Sequence, residues 1–171
     1  IKLSMARKLN SIKILLILTT LCFFVACNNH RTIKQKEIVK VPEKMDDQIS
    51  DNIKSVLDFA NTSDGKINDS VQLAQFKLVN TFYSKNNYEG VWSKKETWNP
   101  AADSMFQFIK KSKYYGLYPE DYHFNELKNL RSKIETDSLT RMDAIAWTRA
   151  DLMLTDAFMK TLKDLKEGRL L

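Results

Sequence analysis

From Thr140 to Glu167 the chain carries neither glycine nor proline, and no other feature restricts its fold as much. Ile145, Ala146, Leu152, Ala157, Leu162 and Leu165 recur through that stretch at helical spacing, which predicts one long, largely buried helix beginning near Thr140. Strand-like alternation is confined to Ile38-Val39-Lys40-Val41, next to Pro42, so little or no sheet is expected. The fold class this implies is all-α, with several helices.

The remaining helices announce themselves by their stripes and their stops. Ile49, Ile53, Val56, Leu57 and Ala60 sit three and four apart, the pattern of an amphipathic helix that Ser63-Asp64-Gly65 then ends. Asp69 is a candidate N-cap, with Gln72 three residues on as its capping-box partner, for a helix carrying Val71, Leu78, Val79 and Phe82 to about Lys85. Asn99-Pro100 opens another helix, an Asn cap followed by a proline whose missing N–H costs nothing at the first helical position. Met105, Phe108 and Ile109 give it a core face, and it should end near Gly116. After a turn at Tyr118-Pro119-Glu120-Asp121 a shorter helix runs from about Phe124 through Leu127, Leu130 and Ile134 to a break at Thr136-Asp137-Ser138.

The N-terminal region follows a different logic. Arg7, Lys8 and Lys13 precede an apolar run from Ile14 to Ala26, and the run turns polar at once in Asn28-Asn29-His30-Arg31. A membrane-spanning helix needs about 20 apolar residues, so this shorter run reads as a cleaved signal rather than a span. Phe24-Val25-Ala26-Cys27 resembles the lipobox of bacterial lipoproteins; Cys22, preceded by Leu21, suits it less well. Residues 1–26 are therefore expected to be a lipoprotein signal peptide, with Cys27 as the lipidated residue and Met5 as a plausible start. Residues 27–46, polar and lysine-rich, are expected to form a flexible tether of about 20–25 Å whose lysines face water or anionic lipid. Residues 47–171 are the expected helical domain.

Processing also removes the argument for a nucleic-acid partner. Losing Lys2, Arg7, Lys8 and Lys13 lowers 27 basic residues to 23 against 21 acidic ones, which takes the net charge from +6 to +2. With Cys22 gone and Cys27 acylated, no thiol remains for a disulfide, a metal or nucleophilic attack.

Catalytic constellations are scarce. The two histidines are His30, in the expected tether, and His123, in Asp121-Tyr122-His123-Phe124. His123 is a conceivable base beside Asp121, but a turn histidine bonded to backbone is the plainer reading. Glu120 and Asp121 are neighbours, whereas paired carboxylates for glycoside chemistry stand roughly 5–9.5 Å apart across a cleft. Tyr83, Tyr88, Trp92 and Trp98 can be read as a sugar-stacking cluster or, more plainly, as a lid on the core. Arg141, Arg149 and Asp151 allow either a buried polar pair or a solvated helix face. No cofactor, metal ligand or catalytic residue is assigned.

Three segments in order carry a resemblance: Phe82-Tyr83-Ser84-Lys85-Asn86-Asn87-Tyr88-Glu89-Gly90-Val91-Trp92, then Tyr114-Tyr115-Gly116-Leu117-Tyr118-Pro119-Glu120-Asp121-Tyr122, then the long helix closing on Glu167-Gly168-Arg169. Together, over about residues 68–171, they resemble the N-terminal scaffold domain of the large murein L,D-transpeptidases of Gram-negative bacteria. The resemblance implies a periplasm-facing lipoprotein of the cell envelope, peptidoglycan as substrate class, and Tyr88, Trp92, Tyr118 and Tyr122 as packing residues of the turns. In that family a later domain carries the catalytic cysteine in a Ser-His-Gly-Cys-like motif, which this sequence lacks. Because family members continue beyond the point of Leu170-Leu171, the chain is expected to be an N-terminal fragment whose partners are peptidoglycan, a membrane reached through the lipid, and the missing catalytic domain. A free-standing, non-enzymatic helical lipoprotein that binds peptidoglycan or an envelope protein is the alternative.

Overall fold

A computed structural model describes residues 33–168, so the expected signal peptide, Cys22, Cys27 and His30 lie outside the described residues. The six α-helices among these residues are α1 (Met45–Thr62), α2 (Phe76–Lys85), α3 (Pro100–Lys111), α4 (Phe124–Thr136), α5 (Ser138–Arg141) and α6 (Ala144–Glu167). The expected all-α architecture is what forms. The sheet consists of two-residue strands, β1 (Ser93–Lys94) and β2 (Thr97–Trp98), paired antiparallel with Ser93 opposite Trp98. None of the described helices is long and apolar enough to cross a membrane.

The long helix is the axis of the fold. From Ala144 to Ala157 every residue of α6 except Arg149 is buried, and α1, α2, α3 and α4 all pack on it. Ala144, Ala146, Ala150 and Ala157 let neighbouring elements come close, while Trp147, Leu152, Met153 and Leu154 fill the volume between them. In α1, Ile49, Ile53, Val56, Leu57 and Ala60 are all buried, as their spacing predicts. Burying each of the larger ones contributes roughly 1.5–3 kcal/mol.

Local end signals account for several boundaries. The Asn99 carboxamide accepts from Ala102 N–H at 2.9 Å and Pro100 follows it, as read from the sequence. Gly65, at φ +76°, sends its N–H back to Ala60 O at 2.8 Å and closes α1. Gly116, at φ +74°, ends the 3-10 turn Ser112–Tyr115 that prolongs α3.

Other boundaries differ from expectation because their partners are distant in sequence. Asp69 caps no helix: Asn68 Oδ1 takes the Ser70 and Val71 amides, both at 2.8 Å, Gln72 bonds Asp64, and α2 begins only at Phe76. The long helix starts at Ala144 rather than Thr140, because Asp137 caps the short α5 and Asp143 then caps α6 through Ile145 N–H at 3.1 Å. Leu162 and Leu165, expected in the core, are exposed.

The largest difference concerns the tether. Its described part is not a solvated linker but a strap docked on the start of α6. Val39 N–H donates to Met142 O at 2.8 Å, Ala144 N–H to Glu37 O at 2.8 Å, and Glu37 N–H to Asp143 Oδ1 at 2.7 Å. Val39 is buried, Asn52 of α1 donates to Glu37 Oε2 at 2.7 Å, and Arg149 reaches Gln35 at 3.1 Å. A segment too polar to fold alone is thus held by backbone pairing to a helix start about a hundred residues later.

Asp143 serves both the helix cap and the strap, so Asp143→Ala is expected to lower stability by roughly 1–3 kcal/mol. It should also speed amide exchange at Glu37, Val39 and Ala144 while leaving the interior of α1 protected; denaturant unfolding and hydrogen exchange by NMR check both.

Candidate functional site

Between α2 and β1 the chain makes a loop that must fold back sharply on itself. Asn87 and Tyr88 take it through consecutive positive φ values of 52° and 61°, and Tyr88 N–H returns to Tyr83 O at 2.8 Å. The loop then meets the buried carboxylate of Asp151 on α6. Val91 N–H approaches Oδ2 at 3.1 Å, Trp92 N–H approaches the same oxygen at 3.0 Å, and the Tyr83 hydroxyl donates to Oδ1 in a short hydrogen bond. At Gly90 a β-carbon would stand 3.3 Å from Asp151 Oδ2 and 3.1 Å from Ile49 Cγ2, so glycine permits the close approach.

The proton order in this network follows from donor capacity. Trp92 Nε1 can only donate, and it does so to Thr155 Oγ1 at 2.8 Å. The one proton of Tyr83 goes to Asp151, so Thr155, 2.7 Å from the tyrosine oxygen, donates to it. Trp92, Thr155, Tyr83 and Asp151 therefore form a directed chain ending on the carboxylate. Burial pushes Asp151 up to about 6, against the bonds from Tyr83, Trp92 and Val91 that favour its charge. Burial first, and then the adjacent Asp151 charge, hold Tyr83 well above the ordinary phenol range.

A second loop is fastened to the same helix. Tyr118 leads into the 3-10 turn Pro119–Tyr122, where Pro119 and Tyr122 are buried. The Tyr122 hydroxyl donates to Asp164 Oδ2 at 2.7 Å, and Lys160 Nζ donates to the same oxygen at 2.6 Å. Burial raises the Asp164 carboxyl, but these two bonds outweigh it and hold Asp164 below the usual carboxylate value. His123 follows at φ 59° and bonds Asp156 Oδ2 at 2.8 Å through Nε2. Asp156 also accepts from Ala74 N–H at 3.0 Å and Gln75 N–H at 2.6 Å, the amides that lead into α2.

Several candidate residues thus take on definite roles. His123 is neither a backbone-bonded turn histidine nor the partner of Asp121; its partner is Asp156. Among the described residues no hydroxyl or thiol bonds its ring, as a nucleophile and base pair would require. Glu120 and Asp121 lie side by side in a single 3-10 turn, not across a cleft. Arg141, Arg149 and Asp151 do not meet: Arg141 donates to Glu135 O at 2.7 Å, and Arg149 holds the strap. The aromatic group is spread along α6 rather than gathered into a platform. Tyr83 is buried, Trp92 lies edge-on to Phe158, and Trp98 leans on Trp147 with ring centroids 4.6 Å apart. Of the four residues read as turn packing, Tyr122 is buried and Tyr88 and Trp92 are partly so, while Tyr118 is exposed. Among the described residues no three His, Cys, Asp or Glu side chains group as a metal ion would need.

Asp156, Thr155 and Asp164 carry fastening roles that the sequence reading missed. A signal was available, since Thr148, Asp151, Thr155 and Asp156 are polar positions inside an otherwise apolar helix and must find partners there.

The Asp151 network has a pH signature. Its folded value of about 6 lies above an unfolded value near 3.9, so the folded state holds more protons in between. The stability linked to this group is complete below about pH 4 and is lost as pH rises through about 6, a change on the order of 2–3 kcal/mol. Unfolding free energies measured from pH 4 to 7 are expected to contain this falling component in the wild type and to lack it in Asp151→Asn.

No curated protein and no solved structure matches the chain. A family model described as the Scaffold domain matches residues 77–171, from the first turn of α2 onward. The match spans more than half of the chain and contains both fastened loops and the whole of α6; the chain belongs to the Scaffold domain family.

Proposed function

We propose that this chain is the non-catalytic scaffold of a cell-wall L,D-transpeptidase, lipid-anchored at Cys27 on the periplasmic side of the envelope. Its role in this reading is to seat a catalytic module that joins peptidoglycan stem peptides through a cysteine acyl-enzyme. The single observation that carries the reading is that the two loops bearing the family-like segments are both tied to α6. The loop of Tyr83 and Trp92 ends on Asp151, and that of Tyr122 and His123 ends on Asp164 and Asp156. Such an arrangement makes α6 a rigid mast, which suits positioning better than catalysis.

The mast also offers a seat. Asp151, Thr155, Phe158, Leu162 and Leu165 follow one another at spacings of four and three, which places them on one side of α6. Tyr83 and Trp92 cover the first two, whereas Phe158, Leu162 and Leu165 are 38%, 51% and 52% exposed. In this proposal a following module packs on that apolar row. The alternative, a free-standing helical lipoprotein that binds peptidoglycan or an envelope protein, uses the same row for its partner.

Sequencing the transcript beyond the Leu171 codon separates the two. An open frame that later encodes a Ser-His-Gly-Cys-like motif is the expected result, and an immediate stop codon rejects the transpeptidase reading. In the complete gene product, Leu162→Glu with Leu165→Glu should reduce stem-peptide cross-linking several-fold. Because both side chains are exposed, each substitution should change the unfolding free energy of this domain by no more than about 0.5 kcal/mol.

A further inference from the structure

We propose that the cavity between the start of α1 and the loop that precedes β1 binds the ammonium group of a small primary amine. The cavity holds about 300 Å³; Asp46 and Asp47 line it from α1, Glu89 and Gly90 from the loop, and Ser93 and Lys94 from β1. Its walls are fastened to one another. Lys95 N–H donates to Asp46 Oδ1 at 2.6 Å and the Ser50 hydroxyl to Asn87 O at 3.2 Å. Gly90 packs so closely on α1 that a β-carbon there would stand 3.1 Å from Ile49 Cγ2.

The polar groups of the cavity are only partly used. Lys94 Nζ lies 2.8 Å from Asp46 Oδ2, so both oxygens of Asp46 are engaged. The carboxylates of Asp47 and Glu89 accept no hydrogen bond and form no ion pair among the described residues. Ser93 is 9% exposed, and its hydroxyl has no hydrogen-bond partner among the described residues. A hydroxyl so far inside a protein calls for a partner, and the cavity it lines is where one can sit. The helix dipole accounts for Asp46 and Asp47 in the first turn of α1, but not for Glu89 on a separate loop or for the Ser93 hydroxyl.

Charge selects a cation, and geometry selects its kind. Three carboxylates against one lysine leave the cavity with two negative charges. Their fields converge: Lys94 is raised above the usual lysine value first by its bond to Asp46, and further by the charges of Glu89 and Asp47. A divalent metal ion needs several ligand oxygens within about 2.0–2.6 Å of one point. Among the described residues no three acidic, histidine or cysteine side chains group in that way. A primary ammonium asks less, since its three N–H donors each reach an acceptor at hydrogen-bond length. Asp47, Glu89 and Ser93 offer that number of acceptors around one cavity. The volume also admits an alkyl stem of lysine side-chain size, whether the amine is a free molecule or a residue of a peptide.

The test follows the backbone amides of Asp47, Gly90 and Ser93 by NMR in the full chain. The probes, at constant ionic strength, are cadaverine, Nα-acetyl-lysine methylamide, its Nε-acetylated counterpart and calcium chloride. The expected result is that cadaverine, the lysine amide or both shift these amides with half-saturation on the order of 1–10 mM, and that the Nε-acetylated compound does not. Whichever of the two amines binds more tightly identifies the source, a free amine or a peptide. Asp47→Asn/Glu89→Gln should weaken binding about fivefold or more, and Ser93→Ala about twofold or more. Asp47 and Glu89 are exposed, so the double variant should keep its unfolding midpoint. No shift with either amine overturns the site, as does equal binding by wild type and the double variant. Equal shifts from calcium overturn it in favour of an unselective acidic patch, and shifts from the Nε-acetylated compound remove the role of the ammonium. The transpeptidase reading survives each of these failures, because the frame beyond Leu171 decides it separately.

Discussion

The architecture depends on aspartate carboxylates carried by, or capping, one buried helix. Asp143 takes the strap, Asp151 the loop between α2 and the hairpin, Asp156 the entry to α2 together with His123, and Asp164 the turn of Tyr122. A carboxylate in a protein interior is costly unless donors surround it. Here the donors are mostly backbone amides and hydroxyls of irregular segments, which themselves need acceptors once they leave water. Each contact meets both requirements, and because its geometry is directional it also fixes where the loop lies.

This explains how a helical domain holds several loops in defined positions with only a sheet of two-residue strands beside them. Apolar packing along α6 brings the elements together but would tolerate small slips in register. The carboxylate contacts do not, since a shift of an ångström or two strips a buried charge of its donors. Asp151 also gives the scheme a pH dependence, because the loop it fastens is held by a group whose protonation changes near pH 6. Burial and stability run together in the first half of α6. In the second half, past Ala157, Phe158, Leu162 and Leu165 are exposed.

The features legible in the sequence are those whose cause is local. The α1 stripe, the Asn99-Pro100 start of α3, the Gly65 and Gly116 stops and the span of α4 each depend on residues within a turn or two of the boundary. The start of α2 is not legible at Asp69, because the acceptor for Ala74 and Gln75 is Asp156, about eighty residues away. The docking of the strap is not legible locally, because Met142 and Asp143, which receive it, give no sign of doing so in their own neighbourhood. For the candidate site, Tyr83, Trp92, Tyr122, His123 and Asp151 were all singled out, but their partners were not.

By itself, the sequence determined an all-helical chain, the positions of most helix ends and the burial of the long C-terminal helix, since periodicity and capping are encoded in neighbouring residues. Residues 77–171 of that sequence match the Scaffold domain family model. Only the tertiary structure decided that four aspartates become fastening points, that the strap docks, that His123 pairs with Asp156 rather than Asp121, and that Leu162 and Leu165 face outward. The physical reason is the same in each case. A polar group's partner, or the cover over an apolar one, is set by which distant segments the packing brings within hydrogen-bond or van der Waals reach, and sequence spacing does not record that distance.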